Sequence, residues 1–535
     1  MPAAMSSHAP GRSPARPLAR GALRALLPLA LLVGPAAATN GPKLTSSGVR
    51  AAGRGGVDYA FADDGTGPAT NPAGMAFVYG HRLDQSWALI MPRVEWSNGL
   101  GRTRDGDLFF AVPAFSFGAF FDPSKPLEIK PLFDVGRWGL FDEPGPADPA
   151  EAGPPPTDEE LLFGGRLRVG LGVFPITGGK VQLKKMRTSV FREPLDWEVD
   201  ALQLAVTPSL AFRFNRWFSA GLAVQAHWSK LELDAGIAQP RFLLRDDFET
   251  AAVLLNNSPQ IFTRADLDDA FTYGVSFRLG LMFQSGETSL GQLSLGLVYQ
   301  ERTYSADYLG RATVDANDEV NNLTQGNPGL LQLVDPSIDP SRGFTSVYDL
   351  RVQGYEQPRQ VGLGLAYRPH RRFSVGLDYT WIEWHAVLSQ LRVRLSGGDN
   401  PNLDRMTAPT IPVRVPMRLR NQHVVALGLS ALVAEGEDLV EGVPAWGLTL
   451  RAGYNYGRSP VPRRTTLPQL PTITEHHVSC GVGFMWGPLV ELSASFEWAL
   501  PKEYRIGSHQ GDRSLGSSTQ DADILFFQVG FGLNF

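Results

Sequence analysis

Five arginines, Arg166, Arg168, Arg213, Arg278 and Arg451, lie in stretches where every second residue is apolar. Each falls in the alternate set, so on a strand it points away from the apolar face. Such guanidinium groups are fixed cations that could take the carboxylate of an anionic ligand. They could equally pair with acids of the same parity, such as Asp378, Glu491 and Glu497. Other chemistry is poorly marked. No Ser/His/Asp set carries the context of a nucleophile, its base and an orienting group. His476 and His477 stand beside Glu475, but neighbours on a strand face opposite ways and do not share a metal. Asp315-Ala-Asn-Asp-Glu319 starts like a calcium loop but has Val320 where glycine is required. Gly53-Arg54-Gly55-Gly56 lacks the preceding strand of a dinucleotide fingerprint. Neither catalysis, nor a metal, nor a cofactor is expected.

The elements that would position the arginines are strands. Leu167/Val169/Leu171/Val173 oppose Arg166/Arg168/Gly170/Gly172, and Tyr273/Val275/Phe277/Leu279/Leu281/Phe283 oppose Gly274/Ser276/Arg278/Gly280/Gln284. Similar alternation predicts strands beginning near residues 86, 108, 165, 201, 217, 272, 291, 359, 372, 423, 445, 477, 489 and 524. These are fourteen, an even number, as a closed antiparallel barrel requires. The expected fold is therefore all-β: a 14-stranded antiparallel transmembrane β-barrel. Arg facing lipid at mid-bilayer costs roughly 2–4 kcal/mol, so the apolar set faces lipid and the arginines face the lumen. The single cysteine, Cys480, excludes an intramolecular disulfide and falls on the apolar face with Val478, Val482, Phe484 and Trp486. Aromatic residues at strand ends, among them Trp217, Trp228, Tyr299, Tyr367, Trp381 and Trp446, suit interfacial girdles.

Tight turns at Asn215-Arg216, Pro369-His370-Arg371 and Gly487-Pro488 alternate with the long links 231–270, 303–357, 386–420, 457–475 and 500–522. Short turns belong on the periplasmic side and long loops outside. Residues 121–161 break this rule with a Pro-rich, acidic insertion where a turn is expected, unless the second strand is misplaced.

The two ends agree with a membrane barrel. Residues 1–38 read as a signal peptide, with Arg12, Arg16, Arg20 and Arg24 before the apolar stretch Ala25–Gly34 and a small-residue cleavage site at Ala36-Ala37-Ala38. Translation could start at Met1 or Met5. Removing four arginines and no acid makes the net charge of −5 more negative by four. The final residues, Ile524 to Phe535, alternate onto a terminal aromatic and resemble the assembly signal read by the barrel-assembly machinery. With 57 Gly, 41 Pro and no long apolar run, a helical membrane protein is excluded. The expected location is the outer membrane of a Gram-negative bacterium.

Residues 39–80 are glycine-rich and not strand-like, suited to a tail or to a plug inside the lumen, ahead of the barrel at 81–535. Here the chain resembles a known family. Ser47-Gly48, Gly53-Arg54-Gly55-Gly56, Ala62-Asp63-Asp64 and the plug motif Asn71-Pro72-Ala73-Gly74 are similar to the amino-terminal hatch of the FadL/TodX outer-membrane transporters. Asp268-Asp269-Ala270, Leu450 to Tyr456, Ser459-Pro460-Val461-Pro462, Leu470-Pro471 and His476 extend the resemblance. It implies an N-terminal lumenal plug and passive uptake of hydrophobic molecules such as long-chain fatty acids or aromatic hydrocarbons. It also implies a ligand groove between extracellular loops, a lumenal pocket and a lateral gap in the wall. The 121–161 insertion departs from the family near that gap.

Apolar residues at helical spacing in the long loops are candidates for such a groove: Phe248, Ala252 and Leu255 after Asp246, and Leu331 and Val334 after Asn327-Pro328. Packing of these short helices against each other explains them equally well. The expected partners are hydrophobic small molecules, outer-membrane lipid and lipopolysaccharide, with no nucleic acid and a monomeric barrel. Other functions open to the fold are a lipid-modifying enzyme and an adhesive or structural barrel.

Overall fold

The computed structural model describes residues 40–61, 63–78, 80–105, 112–123, 166–240, 244–256, 260–440, 443–470 and 472–534. The signal segment, Phe535 and nearly all of the 121–161 insertion lie outside them. Fourteen long strands follow in order: β1 Arg82–Asn98, β2 Val112–Phe121, β3 Leu167–Met186, β4 Leu195–Arg213, β5 Phe218–Pro240, β6 Gln260–Gln284 and β7 Gln292–Gln300. Then come β8 Gln360–His370, β9 Phe373–Ile382, β10 Gln422–Glu435, β11 Trp446–Gly457, β12 His476–Trp486, β13 Val490–Ile506 and β14 Ser518–Asn534. Each pairs antiparallel with the next, and β14 returns to β1 from Arg82↔Asn534 to Ser97↔Thr519. The sheet is closed. Apart from the short ladder between β2 and β3, closure leaves no strand edge for lipid to face, which is the condition for a strand protein to span a bilayer.

Alternation survives as the organising rule. Val275, Phe277, Leu279, Leu281 and Phe283 are exposed on the outside of β6, as Val425, Leu427 and Leu429 are on β10. Cys480 is exposed on the same band. No helix among the described residues is long and apolar enough to cross a membrane.

The strands differ from the sequence expectation mainly in length. β4 starts at Leu195 rather than near 201, and β6 at Gln260 rather than near 272. Much of the supposed loop 231–270 is strand, as are the ends of 500–522. The reason is an inversion of polarity. In the membrane half of β4, Val206 and Leu210 face out while Gln203, Thr207 and Ser209 face in. Further out, Leu195, Trp197 and Val199 are buried inside, and the acids Asp196, Glu198 and Asp200 alternate with them. In β6 the change of phase falls at a bulge at Asp269, whose φ is +47°, within the Asp268-Asp269-Ala270 motif. Beyond the bilayer, water replaces lipid outside and the apolar residues turn inward.

The links 303–357 and 386–420 are also partly strand. Tyr308–Asp315, Thr345–Gln353, Gln390–Ser396 and Thr410–Pro416 pair in that order and continue the sheet outward from β6. At the opposite rim the links are short except between β2 and β3. The second strand is correctly placed: Phe121 pairs with Val169 at the rim where Asn534 ends β14, so the 121–161 link does leave from the short-turn side.

Candidate functional site

Residues 40–61 and 63–78 touch inward-facing positions on strands from opposite sides of the ring, β5 and β6 on one side and β11, β12 and β13 on another, so they lie in the lumen. Its short helix α1, Val49–Gly53, is buried at Ala51, Ala52 and Gly53. Close approach is made possible by glycine on the barrel side. A Cβ at Gly280 would overlap Asn71 Oδ1, one at Gly296 would overlap the Tyr59 carbonyl, and one at Gly453 would overlap the Gly55 nitrogen. Alternation identified these strand glycines only as lumenal; their partners are set by the fold.

The Asn71-Pro72-Ala73-Gly74 motif is held at several points. Asn71 caps the 3-10 turn Pro72–Phe77, its Oδ1 accepting from Ala73 N at 3.1 Å. Its Nδ2 donates to the carbonyls of Tyr59 at 2.8 Å and Leu281 on β6 at 3.2 Å. Ser219 Oγ on β5 donates to Ala73 O at 2.8 Å, and Gly74 N donates to Asn71 O at 3.0 Å. One asparagine thus ties the turn both to its own segment and to the wall.

Ion pairs complete the attachment; Arg54, Asp63 and Asp64 lie in the sequence motifs and Asp378, Glu491 and Glu497 are the inward acids, while Thr45, Arg50 and Asp58 were not singled out. Arg54 is 1% exposed and pairs with Asp63 at 2.5 Å and Asp58 at 3.3 Å, with its guanidinium 4.1 Å from the Phe61 ring. Asp58, Asp63 and Asp64 bring carboxylate oxygens within 4.8 Å of one another, but Arg54 supplies the positive charge they need. Arg50 pairs with Glu491 of β13, its Nε donating at 3.0 Å. Asp378 of β9 accepts from the backbone N–H groups of Asp58 at 2.7 Å and Tyr59 at 2.9 Å. Thr45 donates to Glu497 at 2.8 Å.

The five arginines are separated by the fold. Arg451 binds Glu491 at 2.9 Å, and Arg168 binds Asp122 at 3.0 Å near the short-turn rim. Arg213 is half-buried with its guanidinium 6.0 Å from the Phe77 ring, and the Arg166 carbonyl accepts from Arg213 N at 2.9 Å. Arg278 alone of the five lines a small lumenal cavity of about 70 Å3, together with Lys43, Tyr59, Gln360, Asp378 and Thr380. It donates to Thr70 O at 3.1 Å and to Gln300, while its buried Nε has no partner. Lys43 Nζ donates to Gln360 at 2.5 Å. A water needs roughly 10–15 Å3 of such space, so the cavity has room for only a few waters, and passage of a larger molecule requires the segment to move.

Outward of this cavity the interior is apolar. Val94, Trp96, Val181, Leu183, Trp197, Leu231, Leu267 and Val314 belong to one buried cluster lined from several strands, and the indole N–H groups of Trp96 and Trp197 have no partner there. This inner surface was not foreseen, because the lipid-facing template assigns apolar residues to the outside.

The loop candidates form a second cluster. The helix α2, Asp246–Asn256, and the 3-10 turn Pro328–Leu333 occur where they were predicted. Phe248, Ala252 and Leu331 are buried with Leu244, Val320, Phe344 and Met406, and Val334 packs at the margin. The Leu255 side chain lies outside the described residues. In this structure the loop residues pack on one another. The calcium-like run instead leads into the helix α3, Asn317–Leu323, where burial pushes the Glu319 carboxyl up to about 7. His476 and His477 do face opposite ways: one meets Tyr454 OH at 2.6 Å outside, the other Glu497 at 3.1 Å inside.

No protein-family model matches the sequence, and no curated protein matches it. Solved structures do. The toluene transporter TodX of Pseudomonas putida aligns over 94% of this chain and 100% of its own, with a TM-score of 0.63 at 15% identity. The chain has the TodX fold. The toluene transporter TbuX of Ralstonia pickettii, at 16% identity, covers 92% of this chain and 99% of its own with a TM-score of 0.60. A FadL homologue of Pseudomonas aeruginosa, at 15% identity, covers 92% and 100% with the same score. Two of these neighbours are toluene transporters, and at such identity the likeness establishes the fold alone.

Proposed function

We propose that this protein is a FadL/TodX-type channel of the Gram-negative outer membrane, taking up hydrophobic compounds such as long-chain fatty acids or aromatic hydrocarbons passively. One observation carries the reading: the outer half of the barrel is apolar inside. A water-filled pore has a polar interior, whereas here Trp197, Leu183 and Val94 face inward at the level where Asp196, Glu198 and Asp200 face water. An apolar solute leaves water for that surface without losing hydrogen bonds. The loop cluster around Phe248, Ala252, Leu331 and Val334 is the first contact in this proposal, opening as its helices part. Arg278, with Lys43 beside it, meets a carboxylate where the ligand carries one. Residues 40–78 act as the plug.

The proposed exit is lateral, between β2 and β3. Among the described residues their ladder runs only from Phe121↔Val169 to Phe117↔Val173, and β3 shifts register after Pro175. Leu44 N donates to Ile176 O at 3.4 Å and Thr177 Oγ1 donates to Pro42 O, so the plug lies along this unpaired edge.

The test is uptake of labelled oleate and toluene by cells with and without the gene. A saturable loss of either on deletion, restored by the intact gene, is expected. No difference for any apolar substrate, with lipid hydrolysis by the purified barrel, would replace the channel by an enzyme.

A further inference from the structure

Where the loop between β9 and β10 meets the loop between β11 and β12, they border an open cleft of about 780 Å3. Its wall carries Arg418, Arg420, Arg458, Arg463, Arg464 and Lys502 against one carboxylate, Glu475. That carboxylate is already engaged, by Lys502 Nζ at 2.8 Å and by Ser459 N at 3.2 Å. The five arginines are exposed, and among the described residues none of them forms an ion pair. Arg463 lies 5.4 Å from the Tyr504 ring instead. Six cations in one hollow are not a consequence of composition, since the chain is net negative at −5.

The backbone that carries them is fixed. Arg420 N donates to Pro460 O at 2.9 Å, Arg418 N to Ser389 O at 2.8 Å, and Gln510 N to Arg464 O at 2.8 Å. Arg418 is held at a φ of +49°, an unfavourable conformation for a side chain other than glycine or asparagine. Like charges held at this density repel, and an anion bound between them relieves the repulsion.

The height of the cleft indicates its ligand. Leu450, Tyr454 and Tyr456 are exposed in succession along the outer face of β11, and His476 packs 4.8 Å from the Tyr456 ring. Aromatic residues of this kind mark the level of lipid headgroups. Arg458 follows two residues later, roughly 7 Å further along at the rise of an extended strand. The cations therefore begin where lipid phosphates lie.

We infer that this cleft binds the phosphate groups of a lipid headgroup in the outer leaflet, lipopolysaccharide being the phosphorylated glycolipid that suits it. Guanidinium forks take phosphate oxygens in pairs, and several forks suit a headgroup with more than one phosphate. The inference rests on the outer-membrane placement proposed above and adds a lipid site to it. A soluble phosphate ester offers the same chemistry, so the test must separate the two sources.

The full-length protein is reconstituted in phosphatidylcholine nanodiscs with trace lipopolysaccharide, either intact or dephosphorylated, and retained lipid is measured by mass spectrometry. Wild type should retain the intact lipid at least tenfold better than the dephosphorylated one. A variant carrying Arg418→Gln, Arg420→Gln, Arg458→Gln, Arg463→Gln and Arg464→Gln should lose that preference, and the corresponding Lys variant should keep most of it. Inorganic pyrophosphate at millimolar concentration should compete only partly. Equal retention of the two lipids by wild type overturns the inference, whether or not the Gln variant folds. Complete displacement by micromolar pyrophosphate also overturns it, assigning the cleft to a soluble anion. Membrane fractionation and toluene uptake are scored separately. Correct fractionation and uptake without lipid preference reject this site alone; failure of those two assays rejects the channel reading.

Discussion

The lumenal arginines show how environment gives one residue type different tasks. Arg451 and Arg168 have carboxylate partners, whereas Arg278 has neutral oxygen acceptors and a bare Nε beside the lumenal cavity. Arg278→Met should therefore reduce oleate uptake several-fold and leave toluene uptake nearly unchanged, because only oleate has a carboxylate to lose a partner. Parallel uptake of the two labelled compounds reads the ratio, and an equal fall in both would remove Arg278 from carboxylate recognition. Glu319 titrates in the loop cluster. Its ordinary value is 4.5 and burial raises it to about 7, so the folded loop favours the protonated form. The stabilisation is complete below pH 4.5 and is lost as pH rises to about 7, after which it stays flat. Glu319→Gln should remove that dependence and make the loops more protected at pH 8. Amide exchange across residues 244–261 and 316–344 at pH 5 and pH 8 measures this; an unchanged pH dependence in the variant would contradict it.

At the scale of elements, the strand and the plug segment are matched surfaces. Gly280 has no side chain because Asn71 Oδ1 occupies the place of its Cβ. Gly280→Leu should displace the Asn71 turn rather than the closed sheet, which has hydrogen bonds on both sides of β6. The expected result is a barrel that still shows heat-modifiable migration on gels, with increased permeability to large antibiotics. Failure to fold would mean that the segment is part of the sheet's own stability. Alternation made such glycines legible as lumenal, but not the residue each one accommodates. Helical spacing found the short helix beginning at Asp246 and the turn after Asn327-Pro328, since that spacing is local, although the Asn327 side chain makes no capping hydrogen bond. Their burial in one cluster depends on Val320 and Phe344 of the link 303–357 and on Met406 of the link 386–420, which meet the helix at Asp246 only in the folded chain. The outer parts of β4 and β6 were missed for a different reason. Their period is still two, but which face is apolar reverses where lipid ends.

For the whole molecule, the plug proposal predicts that the barrel stands without its amino-terminal segment. Deleting residues 40–74 should leave a folded, heat-modifiable barrel with greater passive permeability. The closed β14–β1 pairing does not pass through the segment, although burying Glu491 without Arg50 carries a cost. Breaking a buried pair costs about 3–5 kcal/mol, and here Arg451 remains to offset part of it. Liposome swelling with small sugars reads the permeability, and a deletion protein that swells liposomes no faster than the full chain would argue against a plug.

The sequence alone determined the membrane-level parts of the fourteen barrel strands, the closed barrel and the inward parity of the arginines. These follow from a period of two and from the cost of placing charge against lipid, both visible within ten residues. Tertiary structure decided which arginine meets which acid, where the interior turns apolar and how much room the lumen leaves. Arg50 and Glu491 are 441 positions apart. No local periodicity encodes a contact between residues so distant, and only closure of the sheet around the segment brings them together.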